Sequence, residues 1–583
     1  MIVIGLNIGH DASATVIEDG TVLVCAEAER VVDDKHAGLV DNALIAVVAA
    51  LDDCGIGRDS VDAVCVCDMI GYPGLEQTFP LIRESNHRHP YVSRIEISTD
   101  DTIEKVTAFF SGTPVYACCH SFAHATGALY MSGLDDCNVI VSDGYGSCCA
   151  SMALRYRDST LTILDCWPAN LMLGLRYAQF GWFVRDIRKE MSVQDGQLYA
   201  GASVHDFPGK IMGLHSYGEV ADKYVNDFIE WFTNSDIDVY FRCFGTRLKE
   251  HPPVPGLSPD NIYNKLSLDC LLAAGKQSLS VVASMQEAFS RVTEEAVRRV
   301  TQATGVGRIV LTGGCGLNVI TNERVSQLPE VSTLFVPPNC DDRGTSMGAA
   351  ALLYCALAGT PLHFPQIDLK RRRSPYQGLP LIADDEDLPG ISGMDFPLDD
   401  AANLARLVSW LVDDAWIVGL VQGRSEIGPR ALGNRSMIAM PTHAWMKDKI
   451  NQNIKNREWW RPFAPVTRED DYFEYFSSSR ADPYMLTGAM VRAEYVDRLA
   501  AITHVDGTAR VQCLQSRDAN PVLWDLLTAI KERTGVGVLL NTSYNAGGKP
   551  LVNRASRAIA LLNETRMDAL WMESRLYRKS RER

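Results

Sequence analysis

The sequence predicts a mixed α/β protein built of two domains. Its 583 residues exceed what a single hydrophobic core usually supports. Aliphatic and β-branched runs alternate with amphipathic helical runs, which is the pattern of proteins with parallel strands. One segment, residues 366–395, is rich in proline and in blocks of charge and follows neither period, so it predicts a linker. We therefore expect an N-terminal domain over residues 1–365 and a smaller α/β domain over residues 396–583.

The opening of the chain predicts a β-hairpin. Two β-rich runs are joined through Asp19 and Gly20, a dipeptide that favours tight turns between strands. Further strands are expected downstream, after helices near residues 40–53, 119–132 and 277–304. These strands end in small or acidic residues close to a glycine, and α/β proteins place their binding groups at such carboxyl ends.

The second domain is predicted from two strand-like runs, WIVGLVQG and VGVLLNTSYN, together with three helices. The helices are expected near residues 400–413, 522–533 and 555–563. This smaller set of elements predicts a smaller α/β unit than the first domain.

Composition and charge exclude several classes of protein. Apolar residues make up 46% of the chain and charged residues 22%, which is typical of an ordered globular protein. The opening residues show no basic leader with an apolar core, and no run approaches the roughly eighteen apolar residues of a membrane span. A net charge of −16 argues against a large nucleic-acid surface. We expect a cytoplasmic protein that contacts neither membrane nor nucleic acid.

The sixteen cysteines do not form a metal-binding pattern. They are scattered, mostly within apolar runs, and no two CxxC elements occur at the spacing of a zinc ribbon. We interpret most of them as small buried side chains of a protein from a reducing compartment.

Two histidines predict a metal site. His120 and His124 are four residues apart in a segment of good helix formers, so both rings lie on one helix face. Asp143 ends a strand about twenty residues further on, and Asp341 or Asp342 occupies a similar position later in the chain. Together they could form a set of two histidines and two carboxylates, which suits Fe(II), Mn(II) or Zn(II) better than Mg(II). The alternative is an ordinary pair of half-buried histidines.

Two glycine-rich segments could approach phosphates. One contains Gly313, Gly314 and Asn318, and the other contains Lys210 and Gly213. Glycine lets backbone N–H groups come close to a phosphate, and an adjacent helix N-terminus adds its dipole. We expect these five residues to bind a nucleotide in the N-terminal domain. Neither segment has the Walker or Rossmann spacing, so structural turns are an equal alternative.

His10 is a candidate general base. It follows the first strand, and a histidine has an unperturbed pKa close to neutrality, which suits proton transfer from a hydroxyl. A surface or capping histidine is the alternative at this position.

A basic run over residues 422–461 predicts an anion site. It contains eight basic residues against three acidic ones in an otherwise acidic chain. A solvated helix face is the usual explanation of such a run. Here most of the cations are arginines, which bind carboxylate and phosphate with two hydrogen bonds, and they alternate with glycine, proline and tryptophan. With Arg510 and Ser543 further on, they could surround a mixed anhydride or a nucleotide phosphate.

Eleven motifs, taken in order, resemble those of the O-carbamoyltransferases of nodulation-factor and antibiotic biosynthesis, with the aminoglycoside (tobramycin) carbamoyltransferase as the nearest type. The resemblance spans essentially the whole chain, and its most specific motifs are GPRALGNRS and REWWRPFAP. The full set is HDASA, AEAERxxxxKH, HSFAHATGAL, VSDGYG, GKIMGLHSYG, LTGGCGLN, VPPNCDDRGTSMGAA, GRSEIGPRALGNRS, KNREWWRPFAP, GTARVQ and LLNTSYN.

The resemblance implies a two-site enzyme. Its N-terminal domain would be similar to the tRNA threonylcarbamoyl-transferase subunit, with an actin/Hsp70-like fold and a metal ion, Fe(II). Its C-terminal domain would be YrdC-like, similar to threonylcarbamoyl-AMP synthases. The C-terminal site would make carbamoyl adenylate from carbamoyl phosphate and ATP, which carries Mg(II). The N-terminal site would then transfer the carbamoyl group to an alcohol of a natural product; the resemblance also allows a homodimer.

Motif matching implies a role for individual residues. Lys455 and Arg461 would be catalytic, and His10 would act near the acceptor hydroxyl. Asp342 is preferred to Asp341 because it keeps the spacing to the preceding VPP and to the following glycine. The carbamoyl phosphate or adenylate site would consist of Arg430, Arg435, Lys455, Arg461, Arg510 and Ser543. The metal ligands would be His120, His124, Asp143 and Asp342.

Residues 182–215 depart from the family pattern, and His215 stands where the family more often has a small residue. This segment borders the predicted acceptor pocket, so we expect an unusual acceptor. Two other functions were weighed. A tRNA threonylcarbamoylation-type enzyme would need a basic surface that this chain lacks, and a non-catalytic nucleotide or metal sensor would have no need of the C-terminal arginines.

Overall fold

The fold was analysed in a computed structural model. It describes residues 1–67, 92–94, 101–144, 149, 151–167, 173–181, 184–188, 200–233, 276–364, 367–384 and 391–579.

The first sheet of the N-terminal domain begins with an antiparallel meander. Asp19 and Gly20 form its second turn with φ of 48° and 82°, as in the tight turn that suits β-hairpins, so the predicted hairpin is confirmed. The sheet order is β3-β2-β1-β4-β6-β5, with β4 and β6 continuing parallel to β1. The strands are β1 (Ile2–Asn7), β2 (Ser13–Glu18), β3 (Thr21–Glu27), β4 (Ala63–Cys67), β5 (Val92–Arg94) and β6 (Val115–Cys118).

The second sheet repeats this plan. Its strands are β7 (Asp136–Ser142), β8 (Ser151–Arg157), β9 (Thr160–Trp167), β10 (Arg308–Thr312) and β11 (Thr333–Phe335). The order is β11-β10-β7-β8-β9, an antiparallel meander followed by two strands parallel to its first member. The first sheet differs only in its added edge strand β5, which is antiparallel to β6. Two sheets that share this five-strand plan in one domain are the actin/Hsp70-like arrangement, which confirms the predicted fold class.

Two helices of the N-terminal domain pack closely against each other between its two sheets. They are α4 (His120–Ser132), which lies on the second sheet, and α11 (Thr345–Ala358), which lies on the first. Glycine makes their approach possible, because a Cβ added to Gly348 would lie 1.7 Å from Ala123 O. The helices of this domain are α1 (Ala28–Val32), α2 (Leu39–Cys54), α3 (Asp101–Phe109), α4 (His120–Ser132), α5 (Leu173–Phe180), α6 (Arg185–Arg188), α7 (Ala200–Leu214), α8 (Asp222–Thr233), α9 (Lys276–Thr304), α10 (Val319–Ser326) and α11 (Thr345–Ala358). The three helices predicted here, α2, α4 and α9, are confirmed.

Two regular elements lie within residues 366–395, the segment predicted to be a linker. They are α12 (Leu369–Arg373) and β12 (Ile391–Asp395). Asp368 caps the start of α12, and Arg372 donates a hydrogen bond to Tyr130 O at the end of α4. Strand β12 pairs with the last strand of the chain. Since that partner is almost two hundred residues away, the local pattern could not reveal the strand.

The C-terminal domain contains a mixed eight-stranded sheet and a small sheet of three strands. The strands after β12 are β13 (Val418–Val421), β14 (Arg435–Ala439), β15 (Ala464–Arg468), β16 (Phe476–Ser477), β17 (Ala489–Val491), β18 (Thr508–Ala509), β19 (Gln512–Leu514), β20 (Val538–Ser543), β21 (Ala569–Met572) and β22 (Arg575–Lys579). The large sheet has the order β12-β22-β21-β13-β14-β20-β15-β19, and β16, β17 and β18 form the small one. The mixed α/β prediction for this domain is confirmed.

Helices cover the large sheet of the C-terminal domain. They are α13 (Ala401–Val412), α14 (Trp445–Ile450), α15 (Glu469–Tyr475), α16 (Pro521–Thr534) and α17 (Ala555–Glu564), and a π-helical turn, Asn451–Lys455, follows α14. The three predicted helices correspond to α13, α16 and α17. No helix in the described part of the chain has both the length and the apolar character that crossing a bilayer requires. The thirteen cysteines among the described residues are free and eleven of them are buried, as interpreted from the sequence.

A buried polar contact joins the two domains at Gly428. Its N–H donates to Glu27 Oε1 at 2.6 Å, and Arg30 Nη2 donates to its carbonyl at 2.6 Å. Gly428 has φ of 83°, and a Cβ there would lie 2.0 Å from Pro338 O. Only glycine fits both the backbone conformation and the space, so the loop 422–435 is held at a fixed position on the N-terminal domain.

We predict that Gly428→Ala destabilises the protein by at least about 3 kcal/mol, because it adds a backbone clash to the cost of a positive φ. Gly305→Ala is the matched control, since Gly305 has φ of 68° but nothing within 4 Å of the added Cβ. The control should cost about 1 kcal/mol. Urea unfolding measures both, and equal losses would contradict the proposed close approach.

Candidate functional site

One large cleft lies between the two domains. Its volume is about 1620 Å³, and residues of both domains line it. On the N-terminal side the lining includes His10, Asp143, Lys210, Gly213, Gly314, Asn318 and Asp342. On the C-terminal side it includes Arg430, Lys455, Arg457, Arg461, Arg510 and Ser543. The structure therefore brings most of the predicted site residues to a single cavity.

Four predicted metal ligands converge on the N-terminal side. His120 is the first residue of α4, His124 lies one turn later, Asp143 follows β7, and Asp342 opens a 3-10 turn before α11. Their candidate ligand atoms all lie within 4.8 Å of one another, and all four residues are buried. Asp143 Oδ2 is 2.9 Å from His120 Nε2 and 3.2 Å from His124 Nε2. Asp342 Oδ1 lies 3.5 and 3.4 Å from the same two nitrogens.

The electrostatics of this cluster suit a cation. Burial alone would lower the pKa of His120, but the charge of Asp342 and a hydrogen bond to Asp143 raise it well above its usual value. The same carboxylates raise the pKa of His124. Burial would raise the pKa of Asp342, and His10 and His120 lower it instead. The carboxylates thus favour positive charge between them, and two imidazoles with two carboxylates are a fitting donor set for a divalent transition metal.

The structure distinguishes the two adjacent aspartates. Asp342 faces the histidines, whereas Asp341 forms an ion pair with Arg343. Arg343 also lies 2.7 Å from Asp11 Oδ1 and 3.2 Å from Glu29 Oε2, with Glu27 Oε2 at 3.7 Å. Asp341 therefore belongs to a buried ion network behind the metal cluster.

His10 stands between that network and the cleft. Its Nδ1 lies 3.0 Å from Asp11 Oδ2 and its Nε2 lies 3.0 Å from Asp342 Oδ2. The His10 side chain is 45% exposed, whereas those of both carboxylates are buried. Burial would lower the pKa of His10, but the buried carboxylates of Asp342 and Asp11 hold both ring nitrogens and raise it well above its usual value. The ring is thus oriented from behind as a cation, and it is accessible from the cleft.

The glycine-rich loop after β10 supports the aspartate at the metal cluster. Gly314 N–H donates to Asp143 Oδ1 at 3.0 Å. Gly313 has φ of 88°, and a Cβ there would lie 2.2 Å from Ser142 O, so the loop follows the end of β7 closely. The Asn318 side chain caps α10 by accepting from Thr321 N–H. Gly314 and Asn318 line the cleft, but the described contacts of this loop are structural.

The second glycine segment, at the end of α7, lies against the C-terminal domain. Lys210 Nζ lies 2.5 Å from Glu458 Oε1. A Cβ on Gly213 would lie 3.4 Å from both Pro462 Cδ and Trp460 Cδ1. The segment thus reaches the basic run itself. Residues 182–183 and 189–199 of the divergent stretch lie outside the described residues.

Lys455 is the buried cation on the C-terminal side of the cleft. Its ammonium donates to Ser543 Oγ at 2.9 Å, to Asn545 Oδ1 at 2.5 Å and to the carbonyls of both residues. Burial and the positive charges of Arg457 and Arg461 hold the pKa of Lys455 well below its usual value. No carboxylate in the described part of the chain forms an ion pair with it.

Two arginines in the cleft have no protein partner. Within the part of the chain that the structure describes, Arg430 and Arg510 form no hydrogen bond or ion pair, and the Nε atom of each is buried. Burial, with repulsion from Arg461, lowers the pKa of Arg430 to about 10. Burial and the charges of Arg430, Arg461 and Arg457 lower the pKa of Arg510 well below its usual value. Cations that repel one another in a partly buried cavity form a site for an anion.

Arg435 differs from the other predicted arginines. It is fully buried at the start of β14 and does not line the cleft. Its guanidinium donates to Asn553 Oδ1, Gln422 O, Asn434 O and Gly423 O. These acceptors satisfy the group, so the placement corrects its assignment as a ligand residue and makes it a brace of the loop before β14.

Two residues at this site, Arg457 and Glu458, were not assigned a role from the sequence. Arg457 lines the cleft beside Arg461, and burial together with Arg461 lowers its pKa to about 9. Asn545 and Glu458 contact Lys455 and Lys210. Arg457 and Glu458 lie within the KNREWWRPFAP motif, which was the available signal, but the alternation of charge there did not reveal which side chains turn inward.

The comparisons with known proteins agree along the chain. A family model described as "Carbamoyltransferase N-terminus" matches residues 2–351, and one described as "Carbamoyltransferase C-terminus" matches residues 409–579. Nodulation protein NolO of Bradyrhizobium diazoefficiens is 33% identical over 475 residues, which cover 79% of this chain and 78% of that protein. The 3'-hydroxymethylcephem-O-carbamoyltransferase of Amycolatopsis lactamdurans is 28% identical, with 95% of each chain covered. Among solved structures, component A of the Acidaminococcus fermentans (R)-2-hydroxyglutaryl-CoA dehydratase has a TM-score of 0.33, 12% identity, and coverage of 61% of this chain and 99% of its own.

We predict that Arg510→Met melts roughly 1–3 °C above the wild type in phosphate-free buffer, because it removes a partly buried, unpartnered charge. The wild type should gain roughly 2–4 °C on addition of phosphate, and the variant should lose most of that gain. Arg533→Met is the control, since Arg533 forms its ion pair with Asp413 on the exposed surface. Differential scanning fluorimetry measures each value, and a full phosphate response in Arg510→Met would exclude Arg510 from the anion site.

We predict that Asp342→Asn weakens Mn(II) binding at least about 100-fold, because it removes a ligand carboxylate. Asp341→Asn removes the neighbouring charge but leaves the four ligands in place, so its affinity should stay within about tenfold of the wild type. Titration followed by Mn(II) electron paramagnetic resonance compares the two. Equal losses would mean that the metal cluster has been assigned to the wrong side chains.

Proposed function

The chain belongs to the carbamoyltransferase family, and we propose that it is an ATP-dependent O-carbamoyltransferase acting on the hydroxyl of a natural product. The observation that carries the proposal is the cleft, which is lined by the cations of the C-terminal domain and by Asp143 and Asp342 of the predicted metal site in the N-terminal domain. The name of the Amycolatopsis relative, an O-carbamoyltransferase of a hydroxymethyl group, supports a hydroxyl acceptor.

The C-terminal side would form carbamoyl adenylate. Carbamoyl phosphate, ATP and water would give carbamoyl adenylate, pyrophosphate and inorganic phosphate. Arg430 and Arg510 offer free guanidinium groups to the phosphates of these substrates, and Lys455 presents an ammonium held by Ser543 and Asn545. Because these groups are preorganised and partly buried, they stabilise the negative charge that moves to the leaving pyrophosphate without much rearrangement.

The N-terminal side would transfer the carbamoyl group. The acceptor hydroxyl attacks the carbamoyl carbon, the bond from that carbon to the AMP oxygen breaks, and AMP leaves. His10 would act near the acceptor hydroxyl, since its ring is accessible from the cleft while Asp11 and Asp342 hold its two nitrogens. It would accept the hydroxyl proton after passing one of its own protons to one of these carboxylates. The closed cleft would also protect an anhydride that water hydrolyses readily.

A divalent metal fits this side of the cleft. His120, His124, Asp143 and Asp342 would hold it, and we propose Fe(II), with Mg(II) accompanying the ATP. When bound, such an ion supplies positive charge that polarises the carbamoyl oxygen or fixes the AMP phosphate. Asp143 would be kept in place by its hydrogen bond from Gly314.

The remaining predictions fit this scheme. Lys210, Gly213, Gly313, Gly314 and Asn318 are proposed to border the nucleotide in the N-terminal domain, with Gly313 and Asn318 acting through the backbone they fix. A homodimer is compatible with it, because each chain carries both sites. The acceptor is proposed to be a small alcohol that contacts His215, which follows α7, lines the cleft and stands where the family more often has a small residue.

We predict that Lys455→Ala lowers carbamoyl phosphate-dependent exchange of pyrophosphate into ATP by at least about 1000-fold, because a buried charge that faces the transferring phosphate is lost. The exchange assay needs no acceptor. Lys449→Ala is the control, since Lys449 lies six residues earlier and pairs with Asp568 outside the cleft. Circular dichroism of both variants reports on folding.

Full exchange activity in Lys455→Ala would mean that the adenylation site lies elsewhere.

The acceptor is identified in a separate experiment by mass spectrometry, with candidate alcohols offered to the wild type together with carbamoyl phosphate and ATP. A product heavier by one carbamoyl group identifies the alcohol.

A further inference from the structure

A lysine of one domain and a glutamate of the other form an ion pair inside the cleft. Lys210 extends from α7 to within 2.5 Å of Glu458, and their side chains are 15% and 3% exposed. Both residues line the cavity. The pair therefore connects the two domains within the space that the substrates would share.

Glu458 is shared between cations of both domains. Its Oε2 lies 3.9 Å from Arg461 Nη1, and the backbone N–H of Arg461 donates to its carbonyl at 3.2 Å. Burial would raise the pKa of Glu458, but the charges of Arg461 and Lys210 lower it. Glu458 is thus an ionised counter-ion that stands close to one proposed phosphate ligand, Arg461, and in direct contact with Lys210.

The end of α7 lies beside this contact. A Cβ added at Gly209 would lie 3.8 Å from Arg461 Nη2, and one added at Gly213 would lie 3.4 Å from Pro462 Cδ. Both are ordinary van der Waals distances, so the helix around Lys210 is a close neighbour of residues 460–462. A change of partner by Lys210 needs only a rotation of its side chain.

We propose that Lys210 binds the phosphate ester of the adenylate and that, before this phosphate is bound, Lys210 is paired with Glu458. The proposal rests on the proposed function, in which the adenylate forms beside Arg461 and reacts beside His10. A phosphate bound to Arg461 repels the Glu458 carboxylate and competes with it for the Lys210 ammonium. Lys210 then exchanges one anion for another and is never a buried cation without a partner.

The exchange gives Glu458 a distinct effect on affinity. As long as its carboxylate holds Lys210, an incoming phosphate must displace it, so Glu458 weakens phosphate binding. Removing the charge of Glu458 should strengthen phosphate binding only if Lys210 is present, because the released Lys210 ammonium is the group that binds the phosphate. A purely structural ion pair would instead weaken binding whichever partner is removed.

The test is a titration of the full-length protein with AMP by isothermal calorimetry. Lys210→Met should weaken AMP binding about tenfold, the loss expected for one charge-assisted contact to phosphate. Glu458→Gln should strengthen it about fivefold. The double variant should bind AMP like Lys210→Met, because the effect of Glu458 acts through Lys210.

Two controls separate this exchange from general effects on the interface. Asp506→Asn alters another contact between the domains, in which the exposed Asp506 accepts from Ser216 just after α7 at 2.6 Å. Because that contact involves no cation, AMP affinity should stay within about twofold of the wild type. Lys210→Arg keeps the charge and should recover most of the affinity. If Lys210→Met does not fold, Glu458→Gln in the Lys210→Arg background must still strengthen AMP binding.

The proposal is overturned if Lys210→Met binds AMP like the wild type, or if Glu458→Gln strengthens binding equally in the double variant. The second result would mean that Glu458 acts on Arg461 alone. Pyrophosphate exchange by the wild type is measured in parallel. If the wild type exchanges pyrophosphate into ATP but the variants do not show the expected AMP affinities, only the role of Lys210 is rejected. If the AMP affinities are as expected but no pyrophosphate exchange occurs, the adenylation chemistry is rejected and Lys210 is still a phosphate-binding lysine.

Discussion

The buried ion network around Arg343 is the constraint on which both sides of the cleft depend. Arg343 contacts four carboxylates, those of Asp11, Glu27, Glu29 and Asp341. One guanidinium cannot balance four negative charges, and burial raises the pKa of Glu27 to about 7 despite Arg30 and Arg343. Breaking a buried network of this kind usually costs about 3–5 kcal/mol, because it leaves a charge uncompensated.

The network around Arg343 positions residues of both domains. Through Asp11 it orients His10, and through Asp341 it fixes the backbone next to Asp342. Through Glu27 it accepts the N–H of Gly428, two residues before Arg430. The relative position of the proton-accepting group and of the anion-binding loop is therefore set by one cluster in which every member needs the others.

Local sequence patterns predicted the regular elements and which side chains meet at the site, whereas contacts between residues distant in sequence decided the details. The helical spacing of His120 and His124 and the strand end at Asp143 predicted a metal site, and the structure brings these side chains together. The cations of the basic run predicted an anion site. Local sequence could not show that Arg435 is satisfied by three backbone carbonyls and the side-chain oxygen of Asn553, since these four acceptors come together only when β14 packs beside residues 422–434 and 553. Strand β12 was missed for the same reason, because its partner is β22.

The contact of α7 with both sides of the cleft bears on how such an enzyme can change its substrate during evolution. Gly209 and Gly213 lie beside residues 460–462 of the other domain, where an added Cβ would make ordinary van der Waals contacts. Asp206, one turn earlier, instead faces Lys35 and His36. Under the proposed function, mutations on that side of the helix would change the wall of the cleft without touching the residues that contact the carbamoyl donor. An enzyme of this kind could then take a new alcohol through drift in one helix, without rebuilding the site that activates the donor.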